Sequence, residues 1–195
     1  MAVVVKLGGS LAEAGTLDAW LATVLDHGGG RAVIVPGGGV FADAVRAAQQ
    51  RERFSDRAAH RMAVLAMEQY AWLLHDRAPA LAPCAGMAPM RAALAAGRVA
   101  LWLPFAVVSA DPAIAESWDV TSDSLAAWLA ARLDAAALVL IKSAPVPPSA
   151  TTPAELGAQG LVDAAFPGFA AAARCPVICC GPGETARLAA ALALG

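Results

Sequence analysis

The sequence predicts an α/β protein, a three-layer αβα sandwich with a mainly parallel central sheet. Three observations carry that expectation. Runs such as Val3-Val4-Val5 and Leu138-Val139-Leu140-Ile141 are apolar throughout instead of alternating with polar residues. Strands of that kind are covered on both faces, as in a parallel sheet. Stretches of helical periodicity separate them, which supplies the crossovers that parallel strands need. Glycine runs stand where strand gives way to helix, at Gly8-Gly9 and Gly37-Gly38-Gly39. The 195 residues suffice for one domain with a full core, so 1–195 is read as a single domain.

Taken in order, residues 2–7 read as a strand and 11–26 as a helix. Arg31 to Pro36 read as the second strand, with a helix from Val40 to Gln50. A longer amphipathic helix runs from Ser55 to His75. Ala59, Met62, Leu65, Ala66, Gln69 and Leu73 recur along it at helical spacing, and Ser55 and Asp56 are its candidate caps. Val99 to Leu103 reads as a strand ended by Pro104. A helix from Thr121 to Arg132 precedes the strand 137–142. The proline, serine and threonine stretch 143–153 reads as a surface loop within the domain. A last strand, 176–180, leads through Gly181-Pro182-Gly183 into a terminal helix. Gly28-Gly29-Gly30, which ends a helix before a strand, reads as a turn.

Composition narrows the function classes. Hydrophobic residues make up 58%, but alanine dominates them, and no run of about 18 uncharged apolar residues occurs. No membrane span or signal segment is expected, and the predicted compartment is the cytoplasm. A net charge of −2 with a pI near 5.9 gives no footprint for nucleic acid. Cys84, Cys175, Cys179 and Cys180 read as small buried hydrophobes, with Cys179 and Cys180 on opposite faces of a strand. They lack a second pair at zinc-finger spacing, and His27, His60 and His75 are scattered. No metal site built from protein side chains is expected.

The chain has only two lysines, and both stand where an apolar strand ends. Lys6 follows Val5 and leads into Gly8-Gly9-Ser10; Lys142 follows Ile141. A lysine is a compact charge on a flexible stem, suited to following a phosphate that moves. The glycine runs after the first two strands either permit tight turns or let bare N–H groups reach an anion at a helix start. Two such runs, one beside Lys6, point toward phosphates. GxGxxG-type matches occur at Gly37, Gly39 and Ala42 and again at Gly181, Gly183 and Ala186. The acidic residue expected about 20 residues on is missing after the first, since Arg51 to Arg61 reads as charged helix. A strict GxxxxGK[ST] loop is absent. Asp119 and Asp123 flank the start of the helix after Trp118, where acids and hydroxyls are favourable caps. The sharper reading is that Asp123 orients two lysines that would otherwise repel, close to magnesium carried by ATP.

Together, Lys6-Leu7-Gly8-Gly9-Ser10, Pro36-Gly37-Gly38-Gly39, Thr121-Ser122-Asp123 and Ile141-Lys142-Ser143 resemble the amino acid kinase superfamily, in order and over nearly the whole chain. Within it, the helix Ala59 to Tyr70, the segment Trp118 to Ser124 and Gly160-Leu161-Val162-Asp163 with Phe166-Pro167 are similar to the small kinases of methanofuran biosynthesis. Those kinases phosphorylate an aminomethyl-furan methyl phosphate to its diphosphate. The resemblance implies ATP and Mg2+ as cofactors, and a small-molecule phosphate acceptor. It makes Lys6, Lys142 and Asp123 the catalytic group, the lysines sharing the charge of the transferring phosphoryl group and Asp123 holding them. Gly8, Gly9 and Ser10 would line the donor phosphates, with Asp163 and Phe166 bordering the nucleotide. Gly37, Gly38 and Gly39 would receive the acceptor phosphate. Asp119 and Thr121 would point at the acceptor, Asp119 pairing with a substrate ammonium. The chain departs from many relatives after Lys142, where Ala144-Pro145-Val146-Pro147-Pro148 replaces an aspartate–glycine nucleotide loop. Uridylate or isopentenyl phosphate remains an alternative acceptor, and a nucleotide- or oxyanion-binding protein without turnover remains an alternative function. Met62, Met67, Tyr70 and Trp72 exceed what one buried face of their helix needs, which suggests a homodimer or higher homo-oligomer.

Overall fold

The computed structural model describes residues 1–195. Its strands are β1 (Val3–Leu7), β2 (Ala32–Pro36), β3 (Ala82–Cys84), β4 (Ala100–Trp102), β5 (Ala137–Ile141) and β6 (Val177–Cys180). They form one sheet, ordered β3-β4-β2-β1-β5-β6, in which every pairing is parallel. The helices are α1 (Leu17–His27), α2 (Gly39–Glu52), α3 (Asp56–Arg77), α4 (Met87–Ala95), α5 (Phe105–Val108), α6 (Ser122–Leu133), α7 (Pro153–Ala158), α8 (Phe166–Ala173) and α9 (Thr185–Leu192).

The pleat divides the core in two. Val3, Val5 and Leu7 pack with Ile34, Val139 and Ile141 under α1, α9 and the C-terminal half of α3. Val4 packs with Val33, Val35, Leu138 and Leu140 under α4, α6 and α8. Successive side chains of a strand alternate between faces, so Lys6 falls on the Val4 side. Lys142, two residues beyond Leu140, falls on that side too. Both lysines therefore face α6. The aromatic pair Trp102 and Trp128 ties β4 to α6, its rings stacked with centroids 5.9 Å apart, a contact of about 0.5–1.5 kcal/mol. Cys179 joins the α6 side and Cys180 the other, as alternation requires.

Several elements differ from the sequence reading. The helix expected over 11–26 begins at Leu17, because Gly9–Leu11 is a 3-10 turn and Gly15 takes a left-handed φ of 67°. The third strand, β3, is an edge strand of three residues containing Pro83. A proline is tolerated at an edge because one side needs no ladder donor. Helices α4, α7 and α8 also fall where no element was expected. Pro153 and Pro167 sit in the first turns of α7 and α8, positions that a proline suits.

Strand β1 lies between β2 and β5, with β2, β4 and β3 on one side of it and β5 and β6 on the other. Where strand order reverses, the carboxyl ends of adjacent strands splay their loops apart and leave a crevice. Lys6, both glycine loops and Lys142 stand at that place.

Candidate active site

The register sets Lys6 beside Leu140 on β5, two residues before Lys142. Asp123 lies across from both lysines in the first turn of α6. Lys6 Nζ is 3.0 Å from Asp123 Oδ1. Lys142 Nζ donates to both carboxylate oxygens at 2.9 Å. The three side chains are 7%, 8% and 12% exposed for Lys6, Asp123 and Lys142 respectively. Burial pushes the Asp123 carboxyl pKa up, but the two ammonium groups outweigh it and hold the value below the usual carboxylate range. Burial, with Lys6 close by, pushes Lys142 down against the pull of Asp123. Two buried cations share one anion, and the surplus positive charge calls for an anionic ligand.

Beside this triad the glycine loops pack backbone against backbone. A side chain on Gly9 would stand 2.1 Å from the Gly39 nitrogen, and one on Gly37 would stand 2.4 Å from the Gly9 nitrogen. Gly39 also has a left-handed φ of 51° and lies against the Tyr70 ring, 3.1 Å from where its Cβ would be. Glycine is needed at these positions for the loops to meet at all. Ser10 and Ser143 hydroxyls are 2.7 Å apart, joining the loop after Lys6 to the residue after Lys142.

A cavity of about 250 Å³ opens where the loops meet. Gly9, Ser10, Gly38 and Gly39 line one part of it, and Thr121 and Ser122 bring the start of α6. Val64 and Met67 of α3 with Leu125 of α6 add an apolar wall. Gly37 is buried beneath the loop, and Gly8 is buried with it.

Other expected site residues are placed differently. The Asp163 carboxylate accepts from the Thr121 amide and hydroxyl at 3.0 and 2.7 Å, and from the Ser124 amide at 3.1 Å and the Ser124 hydroxyl. It closes the start of α6, whose own Thr121 makes no side-chain cap. This engagement replaces the nucleotide border expected of Asp163. Phe166 is fully buried in the core and has no surface to offer a nucleotide. Asp119 is exposed and lies outside the cavity lining; its carbonyl accepts from the Ala165 amide.

Sequence reasoning missed several cavity residues as site residues, among them Asp43, Arg46, His60 and Trp118. Arg46 lies over the Trp118 ring, 4.0 Å from its centroid, and the indole donates to Gln49 at 2.6 Å. The available signal was position, since Asp43 and Arg46 follow Gly39 by one and two turns of α2. His60 stands in the first turns of α3, and burial lowers its pKa. A second cavity of about 330 Å³ lies between the proline-rich loop after Lys142 and the start of α9, lined by Val146, Pro147, Cys179, Glu184 and Arg187 among others. No group of three or more His, Cys, Asp or Glu side chains is placed to hold a metal ion. The one buried carboxylate of the site is taken up by the lysines.

Comparison with known proteins agrees with this architecture. The model of the Amino acid kinase family matches residues 1–145. A [5-(aminomethyl)furan-3-yl]methyl phosphate kinase from Methanocaldococcus jannaschii is 28% identical over 142 residues, 70% of this chain and 63% of that protein. The match thus spans less than two thirds of that relative's length. Among solved structures, uridylate kinase from Archaeoglobus fulgidus gives a TM-score of 0.72 at 17% identity, covering 99% of this chain and 96% of that one. Aspartate kinase from Synechocystis gives 0.67 at 17% identity, covering 93% of this chain and 38% of that one. At such identities the structural likeness establishes the fold. With its family profile matched over three quarters of its length, the chain belongs to the amino acid kinase family.

Proposed function

We propose that the chain is an ATP-dependent kinase that converts a small phosphate monoester into a diphosphate. The observation that carries this reading is the buried pair of lysines on a single carboxylate, set against two touching glycine loops. An oxygen of the acceptor phosphate attacks the γ-phosphorus of ATP. The bond from that phosphorus to the β,γ-bridging oxygen breaks, and ADP leaves with the electron pair. The attacking oxygen is already anionic, so no side chain has to remove a proton. What remains for the protein is alignment and neutralisation of charge on the transferring group. Lys6 and Lys142 supply the charge, Asp123 fixes their separation, Gly8, Gly9 and Ser10 line the donor phosphates, and Gly38 and Gly39 direct the acceptor phosphate. Magnesium enters as part of the nucleotide substrate. The nucleotide lies on the β6 side, toward the cavity beside Glu184 and Arg187.

The acceptor of the M. jannaschii relative, an aminomethyl-furan methyl phosphate, is the acceptor proposed here. The cavity favours it by size. About 250 Å³ lies below the roughly 300–1,000 Å³ of sites for drug-sized ligands, and a furan phosphate is smaller than UMP. The apolar wall of Val64, Met67 and Leu125 suits a ring. Residues 1–195 then form a single kinase domain, working in the cytoplasm. A second copy of the chain covers Met62, Leu65 and Trp72, which are 41%, 40% and 53% exposed and share one side of α3. Incubation with MgATP and each of three acceptors, the furan phosphate, UMP and isopentenyl phosphate, tests the assignment by mass of the product. The furan diphosphate is expected. Phosphorylation of UMP or isopentenyl phosphate alone would replace the acceptor, and no product from any of them would leave nucleotide binding as the function.

A further inference from the structure

His60 is only 4% exposed and lines the acceptor cavity, yet its Nε2 is buried with no hydrogen-bond partner. Buried polar atoms in folded proteins are nearly always paired. An orphan on a cavity wall therefore points to a partner that arrives with a ligand. Burial favours the neutral imidazole, against the nearby Glu116 and with the nearby Arg61. A neutral imidazole keeps one nitrogen free to accept a hydrogen bond, whereas an imidazolium would repel a cation.

Asp43, which also lines the cavity, stands one turn of α2 beyond Gly39, roughly 6 Å along the helix axis. It takes part in none of the ion pairs of the chain. Arg46, three residues on, is turned over the Trp118 ring. The cavity thus combines an anion-binding glycine end, an apolar wall, and a carboxylate with an imidazole that both accept hydrogen bonds.

We propose that His60 and Asp43 are the specificity-determining residues of the acceptor site, and that together they bind an ammonium group on the acceptor. The inference rests on the kinase reading above and assigns the residues that select the primary amine of the proposed acceptor and of other small phosphate monoesters built like it. Asp43 takes the role that the sequence suggested for Asp119, which lies outside the cavity. An acceptor without a donor, such as isopentenyl phosphate, leaves the imidazole unpaired. A neutral donor such as a uracil N–H leaves the carboxylate without its counter-charge.

The test compares [5-(aminomethyl)furan-3-yl]methyl phosphate with the analogue in which a methyl group replaces the aminomethyl group. The ratio of their kcat/KM values is measured with MgATP for the wild type, Asp43→Asn, His60→Leu and His60→Gln. The wild type is expected to prefer the amine by at least about tenfold, because the methyl analogue leaves the buried His60 acceptor unpaired and the Asp43 carboxylate without its counter-charge. Asp43→Asn and His60→Leu should each reduce that preference by about tenfold or more, chiefly through KM for the amine, and His60→Gln should restore part of it. Asp43 is exposed, so Asp43→Asn decides the matter even where His60→Leu does not fold. If the preference stays within about twofold of wild type in Asp43→Asn, the proposal is overturned while the kinase reading stands. Wild-type silence with both acceptors would overturn this proposal, and the kinase reading would then stand or fall on the UMP and isopentenyl phosphate assays above.

Discussion

At Asp123 one carboxylate answers two buried ammonium groups, and its oxygens have no other protein partner of that charge. Breaking a buried pair by removing one member typically costs about 3–5 kcal/mol, because the charge left behind is uncompensated. Asp123→Asn leaves two such charges, so chemical denaturation should find it destabilised by about that amount. Lys142→Met leaves a one-to-one pair of Lys6 with Asp123 and should cost less. The effect has a pH signature. The folded-state pKa of Asp123 lies below its ordinary value, so its contribution is fully present above the unfolded value of about 3.9. It is lost as pH falls through the lower folded value. The stability gap between wild type and Asp123→Asn should therefore hold from neutral pH to about pH 5 and close in stronger acid. Lys6, Lys142 and Asp123 were legible in the sequence because the chain has only two lysines and both end apolar runs. Asp43, Arg46, His60 and Trp118 were not, since nothing local distinguishes a charged helix face from a cavity wall. Only the packing of α2 against α3, with the start of α6 across the cavity, brings them together.

Helix α6 carries Asp123 in its first turn, so the role proposed for Asp123 depends on the position of that turn. Its N–H groups are satisfied from outside the helix, by Asp163 some 40 residues along the chain. Asp163→Ala removes both backbone contacts and both hydroxyl contacts. Loss of a cap typically costs about 1 kcal/mol, and up to about 2, equivalent to a fall of roughly 2–8 °C in Tm for a chain of this size. Turnover should fall further than that loss implies, because Asp123 moves with the turn; thermal melts and kcat on one preparation separate the two. Asp163 was expected near the nucleotide because no sequence pattern connects Thr121 and Ser124 to a residue so far away. The same limit explains the missed elements. Strands β1, β2, β5 and β6 announce themselves as apolar runs ended by glycine, lysine or proline. Strand β3 has three residues with Pro83 in the middle, and its pairing with β4 is what makes it a strand. In α7 the proline that read as loop, Pro153, is a first-turn residue, as the capping box of Thr152 and Glu155 makes plain.

For the whole molecule, strand order decides where chemistry can occur. Placing β1 between β2 and β5 gathers the first glycine loop, the second glycine loop and Lys142 at one edge. Three segments, the last more than a hundred residues from the other two, become one site. The exposed row of Met62, Leu65 and Trp72 belongs to this scale as well. Sedimentation should find a dimer, and Trp72→Glu should shift it to monomer; a monomeric wild type would contradict the pairing. The central claim is that the buried lysine pair carries phosphoryl transfer. It is tested most directly by acceptor-dependent ADP release from MgATP, comparing wild type with Lys6→Ala under saturating substrate. Removing a preorganised charge at such a site raises the barrier by about 2.7–4 kcal/mol. The account predicts a loss of at least about a hundredfold in a protein that is still folded. Near-normal turnover by Lys6→Ala would contradict it.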